Sequence, residues 1–220
     1  MASTTASAPR QPLIGTAPAS IAAVNLYWLP LGAGGHCVRL NGQIFEALSA
    51  RIQHRGPRDL YHSALEIQLG RARYTIEMAP AWNEHEHERG VVAEGSVGMR
   101  GAGRLRLFRY EIRCWRDGRI PDIAEAVDSP RRLSTDPERA ARILELVARV
   151  PVPVWGRDEL KTGDMWNSNS LISWLIACSG TDIERIRPPA GGRAPGWEAG
   201  LVVAARSPVP TSLSTGTTIS

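Results

Sequence analysis

The sequence predicts an α+β fold: a mostly antiparallel sheet with helices packed against it. Two observations carry that expectation. Residues 59–69 and 73–78 alternate apolar and polar side chains on either side of Gly70-Arg71, which is the period-two signature of a β-hairpin. Residues 135–150 and the stretch after Asn167-Ser168 instead carry apolar residues at helical spacing behind N-terminal capping signals.

The elements follow in order. Residues 1–19 are rich in Ala, Ser, Thr and Pro and are expected to be disordered, as is the Ser/Thr/Pro tail at 207–220. Between them, 20–206 fits a single α+β domain. Residues 23–31 read as a strand, with β-favouring Val24, Tyr27 and Trp28. Gly32-Ala33-Gly34-Gly35 reads as a turn; it lacks the GxxxxGK[ST] pattern of a phosphate loop, and the next segment, 37–40, reads as a strand. Asn41-Gly42 turns the chain, and 44–54 is expected to be a helix ended by Gly56-Pro57. In the hairpin, Tyr61, Ser63, Leu65, Ile67 and Leu69 share one face, and His62, Ala64, Glu66 and Gln68 share the other. Residues 80–104 read as a loop, 105–115 as a strand and 120–127 as a short helix. Thr135-Asp136-Pro137-Glu138 has the form of a T-x-x-E capping box with Pro in the first turn, opening a helix that Pro151 ends. The helix after Asn167-Ser168 is apolar nearly all round, so it belongs deep in the fold, and Gly180 stops it. Residues 199–205 read as a closing strand.

Composition narrows the function. There are 26 basic against 22 acidic residues, and the formal charge of +4 is too mild and too dispersed to argue for nucleic acid. Cys37, Cys114 and Cys178 are far apart and odd in number, which does not fit a secreted disulfide framework and points to a reducing cytosol. The longest early apolar run, 21–31, is broken by Pro30 and falls well short of the roughly 20 residues a transmembrane helix needs. No integral membrane segment is therefore expected.

Few side chains are placed for chemistry. His62 lies within a strand; it reads either as a hydrogen-bonded structural histidine or as a general base with a pKa suited to neutrality. Glu77, on the returning strand, either orients His62 or pairs with an arginine such as Arg109 or Arg113. Asn167 and Ser168 read as helix caps, and equally as polar groups at a positive helix end where a nucleophile gains from the dipole. Glu84-His85-Glu86-His87-Glu88 has metal-ligating residue types but no HExxH and loop-like flanks, so it reads as a solvated loop. No metal or other cofactor is expected. Cys37 follows His36 on a strand with no helix end to lower its pKa, and reads as a structural thiol.

The His-bearing strand Leu60-Tyr61-His62-Ser63-Ala64-Leu65-Glu66-Ile67, the return Tyr74-Thr75-Ile76-Glu77-Met78 and the late helix start Asn167-Ser168-Asn169-Ser170-Leu171-Ile172 together resemble the circularly permuted papain-like fold. That superfamily includes lecithin:retinol acyltransferase-like proteins and permuted NlpC-type cysteine peptidases, and the likeness is to a bacterial branch of it. The resemblance implies His62 as base, Ser168 at the position of the nucleophilic Cys, and Glu77 near the third polar position. Asn169 and Ser170 would then supply backbone donors to an oxyanion. It implies a hydrolase or acyltransferase acting on an ester or amide of a small-molecule, peptide or acyl substrate. Serine in place of cysteine is the departure, because a hydroxyl is a weaker nucleophile than a thiol. The alternative is a non-catalytic ligand-binding or regulatory module that uses the pocket of Asn167, Ser168, Asn169, Ser170 and His62.

Overall fold

The computed structural model describes residues 21–31, 59–81 and 90–206. The tails, the Gly32–Gly35 turn, the strand and helix expected over 37–54, Cys37 and the Glu84-to-Glu88 run lie outside the described residues.

Six strands form one antiparallel sheet: β1 Ala22–Pro30, β2 Tyr61–Leu69, β3 Ala72–Pro80, β4 Val91–Ser96, β5 Arg109–Arg116 and β6 Val127–Ser134. Their order is β4-β5-β3-β2-β1-β6, so β4 and β6 are the edges. Three helices follow among the described residues: α1 Pro137–Val147, α2 Ser168–Cys178 and α3 Trp197–Arg206. The α+β architecture is thus the one the alternating and helical periods predicted.

The sheet has two different faces because side chains alternate along each strand. Val24, Leu26 and Trp28 of β1, Leu65 and Ile67 of β2, Ile76 and Met78 of β3, and Tyr110 and Ile112 of β5 point into the main core. The helices meet them there. α1 lays Ala140, Ile143 and Val147 against β1 and β2, residues at the spacing that keeps them on one helix face. α2 packs on β2 and β3 and is covered in turn by α3. Ten of its eleven residues are buried, which is what its all-round apolar sequence requires. On the opposite face Tyr27, Leu29, Ala64 and Ile120 form a smaller apolar cluster.

Several local expectations are corrected. The stretch 80–104 contains β4, followed by a 3-10 turn at Arg100–Arg104. The strand expected at 105–115 begins only at Arg109, after a second 3-10 turn at Arg106–Phe108. The helix expected at 120–127 shrinks to a 3-10 turn at Ile123–Glu125, and β6 follows at once. The capping box at Thr135 does not form: Asp136 is the cap, accepting from the Glu138 N–H at 2.9 Å, and the helix ends at Val147. The closing strand at 199–205 is helix α3, whose burial comes from docking on α2. Gly180 does follow α2, with φ +76°, a left-handed conformation that glycine adopts without steric cost.

Gly200 shows how closely α2 and α3 approach. A Cβ at this position would collide with the Ser170 carbonyl and the Ser173 hydroxyl. Alanine is about 1 kcal/mol better than glycine inside a helix, but overpacking a tight contact costs about 1–3 kcal/mol. Gly200→Ala should therefore lower the midpoint of urea unfolding; a raised midpoint would show that the helices can part freely.

Candidate functional site

The period of β2 decides which of the expected site residues meet. Leu65 and Ile67 are fully buried beneath the helices. Ser63 shares their face, so it is Ser63, and not His62, that looks toward the first turn of α2. The Ser63 hydroxyl donates to Asn169 Oδ1 at 2.8 Å. His62 sits one residue earlier, opposite Leu29 in the β1–β2 register, on the other side of the sheet.

The first turn of α2 is a dense hydrogen-bonded joint. Asn167 is the cap: its Oδ1 accepts from the N–H groups of Asn169 (2.9 Å) and Ser170 (3.3 Å). The Ser170 hydroxyl accepts in return from the Asn167 N–H at 3.1 Å, closing a capping box. The Asn167 and Asn169 amides both donate to the Pro195 carbonyl at 2.8 Å, and Asn169 Nδ2 also donates to the Tyr61 carbonyl at 2.9 Å. Ser170 Oγ reaches the Gly196 carbonyl at 2.7 Å, and the Gly196 N–H donates to Asp164 at 2.7 Å. Gly196 has φ +83°, and a Cβ there would strike the Asn167 side chain. Four segments are thus tied together: β2, the approach at 164–166, α2 and the entry to α3.

This joint leaves little for a ligand. Asn169 has both its amide donors and its acceptor engaged within the fold. The backbone N–H groups of Asn169 and Ser170, the expected oxyanion donors, are held by Asn167. Ser168 is also buried, and its hydroxyl has no hydrogen-bond partner among the described residues. Asn167, Ser168, Asn169 and Ser170 therefore come together as expected, but His62 does not join them.

Glu77 faces away from α2 as well, and its partner is an arginine. Arg113, directly across from it on β5, places Nη1 3.4 Å from Glu77 Oε1 and Nη2 2.7 Å from Glu111 Oε2. Arg113 is only 3% exposed, and both carboxylates are buried. One guanidinium between two carboxylates neutralises much of their repulsion and supplies the hydrogen bonds that buried charges require. Of the two roles open to Glu77 in the sequence, pairing with Arg113 is the one observed.

His62 is half-buried beside the small outer cluster. Burial lowers its pKa from 6.5 to about 4, with Asp122 pulling weakly the other way, so the ring is neutral at physiological pH. The two described cysteines are poorly disposed to react: burial pushes the Cys114 thiol up to about 11 and also raises that of Cys178. Among the described residues no group of three His, Cys, Asp or Glu side chains gathers in a way that could hold a metal ion.

The outer face carries a different feature, which no motif in the sequence marks. A cleft of about 240 Å³ opens at the β4–β5 end, between Ala81, Val91, Glu94, Arg106, Arg109 and Glu111. Arg106 Nε donates to the Ala81 carbonyl at 3.0 Å, and Arg109 Nη1 lies 3.4 Å from Glu94. The signal available in the sequence is the run Arg104-Leu105-Arg106-Leu107-Phe108-Arg109, in which Arg104 ends the expected loop, Arg106 falls in the expected strand and Arg109 is a candidate partner of Glu77.

Comparison with known proteins adds no relative: no family model, no curated protein and no solved structure matches the chain.

Two measurements test these placements. The folded His62 holds its proton less tightly than the unfolded chain does, so its contribution to stability is full above pH 6.5 and is lost as pH falls from there toward about 4. Solvent still reaches part of the ring, which puts that loss at roughly 1–3 kcal/mol. Denaturant titrations across this range should show a steep acid limb that His62→Asn flattens; an unchanged limb would mean the ring is not desolvated. Separately, Arg113→Met removes the guanidinium that lies between two buried carboxylates and should cost about 3–5 kcal/mol. Pairing it with Glu77→Gln and Glu111→Gln should recover part of that loss in the same assay.

Proposed function

We propose that this chain is a non-catalytic binding or regulatory module, in which the polar turn at the start of α2 is a structural joint. The observation that carries the reading is the Ser63–Asn169 hydrogen bond. It occupies the place where a base would meet a nucleophile, and the alternation of β2 then sends His62 through to the other face. Proton transfer requires base and nucleophile within hydrogen-bond reach, directly or through one water. A sheet between them prevents that. The engagement of the Asn169 and Ser170 N–H groups by Asn167 removes the donors that a tetrahedral oxyanion would need.

The hydrolase or acyltransferase reading retains one support. Ser168 is the residue of this turn whose hydroxyl is without a partner among the described residues, and it sits at a helix N-terminus where negative charge is stabilised. Among the described residues no base faces it, His62 lying on the other side of the sheet. The permuted papain-like resemblance rests, for its part, on the order of a His-bearing strand, its hairpin return and a late capped helix.

A fluorophosphonate probe separates the two readings. Under the binding-module reading Ser168 stays unlabelled, and Ser168→Ala changes unfolding free energy by less than about 1 kcal/mol, because its buried hydroxyl makes no hydrogen bond among the described residues. Labelling of Ser168 that His62→Ala abolishes would refute the module and restore the enzyme.

A further inference from the structure

The exposed apolar side chains of this protein are concentrated in one place. Of the nine large apolar residues that stand exposed among the described residues, six are Val91, Val92, Met99, Leu105, Leu107 and Phe108. Val91 and Val92 belong to edge strand β4, Leu107 and Phe108 to the second of the two 3-10 turns that follow it, and Met99 and Leu105 to the residues that flank the first. Clustering of this kind on a folded surface marks an interaction site, whereas scattered exposed leucines do not. The same stretch, 99–109, holds Arg100, Arg104, Arg106 and Arg109 and no acidic residue.

We propose that the β4 edge and the 99–109 turns form a docking surface for an anionic lipid bilayer. This names the partner of the binding module argued above and rests on that reading for its biological sense. Two features favour a bilayer over a protein groove. Met99, Leu105 and Leu107 are each more than 60% exposed, so they project from the surface and do not line a trough. Projecting side chains need a matching pocket in a protein partner, but a fluid hydrocarbon layer accepts them without one. The charges also fit. Arg100 is held by Glu159 and Arg109 by Glu94, while Arg104 is exposed with no side-chain partner among the described residues. Arg106 is exposed too and, among the described residues, bonds only through Nε, toward the Ala81 carbonyl. Arg104 and Arg106 thus flank Leu105 with guanidinium N–H groups suited to lipid phosphates, next to the cleft at Glu94 and Glu111. Apolar insertion combined with a basic rim is the two-signal arrangement that makes peripheral membrane binding stable.

The test is flotation of the full chain with vesicles of equimolar phosphatidylserine and phosphatidylcholine, against vesicles of phosphatidylcholine alone. The protein should float with the anionic vesicles and not with the neutral ones, and added salt should release it. Each basic residue near such a surface is worth about fivefold in partitioning, so Arg104→Gln with Arg106→Gln should weaken binding roughly 25-fold. Met99→Ser with Leu105→Ser should remove it, while Ile123→Ser, an exposed apolar residue outside the patch, should leave it intact. All three variants alter exposed side chains, and unchanged thermal unfolding verifies that each is folded. No flotation with anionic vesicles at low salt overturns the proposal, as does flotation insensitive to the Met99/Leu105 variant. Self-association in solution that Met99→Ser with Leu105→Ser abolishes also overturns it, by making the patch an interface between copies. A labelled Ser168 would sink the non-catalytic reading and leave the vesicle result standing.

Discussion

The Asn169 side chain is the contact on which the inner half of this fold depends. Its amide donates to Tyr61 on β2 and to Pro195 before α3, and its oxygen accepts from Ser63. All of this happens in a buried, low-dielectric setting, where an unmade hydrogen bond costs about 1–3 kcal/mol and each made one reinforces its neighbours. The result is a helix whose start is anchored to the middle of the sheet. α2 then presents its length to β2 and β3, and offers Ser170 and Ser173 as the floor on which Gly200 lets α3 settle.

The two faces of the sheet divide the remaining chemistry. The inner face is apolar and carries the helices. The outer face carries a series of charges: Glu66 beside Arg73 and Asn25, Arg132 on Asn25, Arg113 between Glu77 and Glu111, and Arg109 beside Glu94. Buried members such as Arg113 set strand register, because a shift by one residue would leave a charge facing the core. Near β4 this series gives way to exposed arginines and projecting apolar residues. The molecule is therefore tightly hydrogen-bonded at the α2 turn, the Ser168 hydroxyl apart, where the sequence had pointed to chemistry, and open at the β4 edge and the 99–109 turns, where it had suggested a loop running into a strand.

What could be read in the chain was local and regular. The β2–β3 hairpin and the Asn167 cap were legible, since alternation, turn residues and a capping side chain all act within a few residues. β4 and β6 escaped because both are edges. An edge strand tolerates what a central one does not: Gly95 in β4, and Asp128, Pro130 and two arginines in β6, all of which read as loop. α3 was mistaken for a strand because Val202-Val203 favour extended backbone, and a docking surface on α2 overrode that weak preference. Ser63 is a different case. Its place on the Leu65–Ile67 face was visible in the alternation, and the same alternation already set His62 apart from whatever covered the apolar face.

By itself the sequence determined the fold class, the capped buried helix, and the membership of each face of the hairpin, since these follow from side-chain periodicity over a few residues. Only the tertiary structure decided whether His62 would meet Ser168. That depends on which face of β2 receives a helix more than a hundred residues further along the chain. Burial of Leu65 and Ile67 made that choice. In doing so it brought Ser63 to Asn169, left Glu77 to Arg113, and put a sheet between His62 and the helix it had been expected to serve.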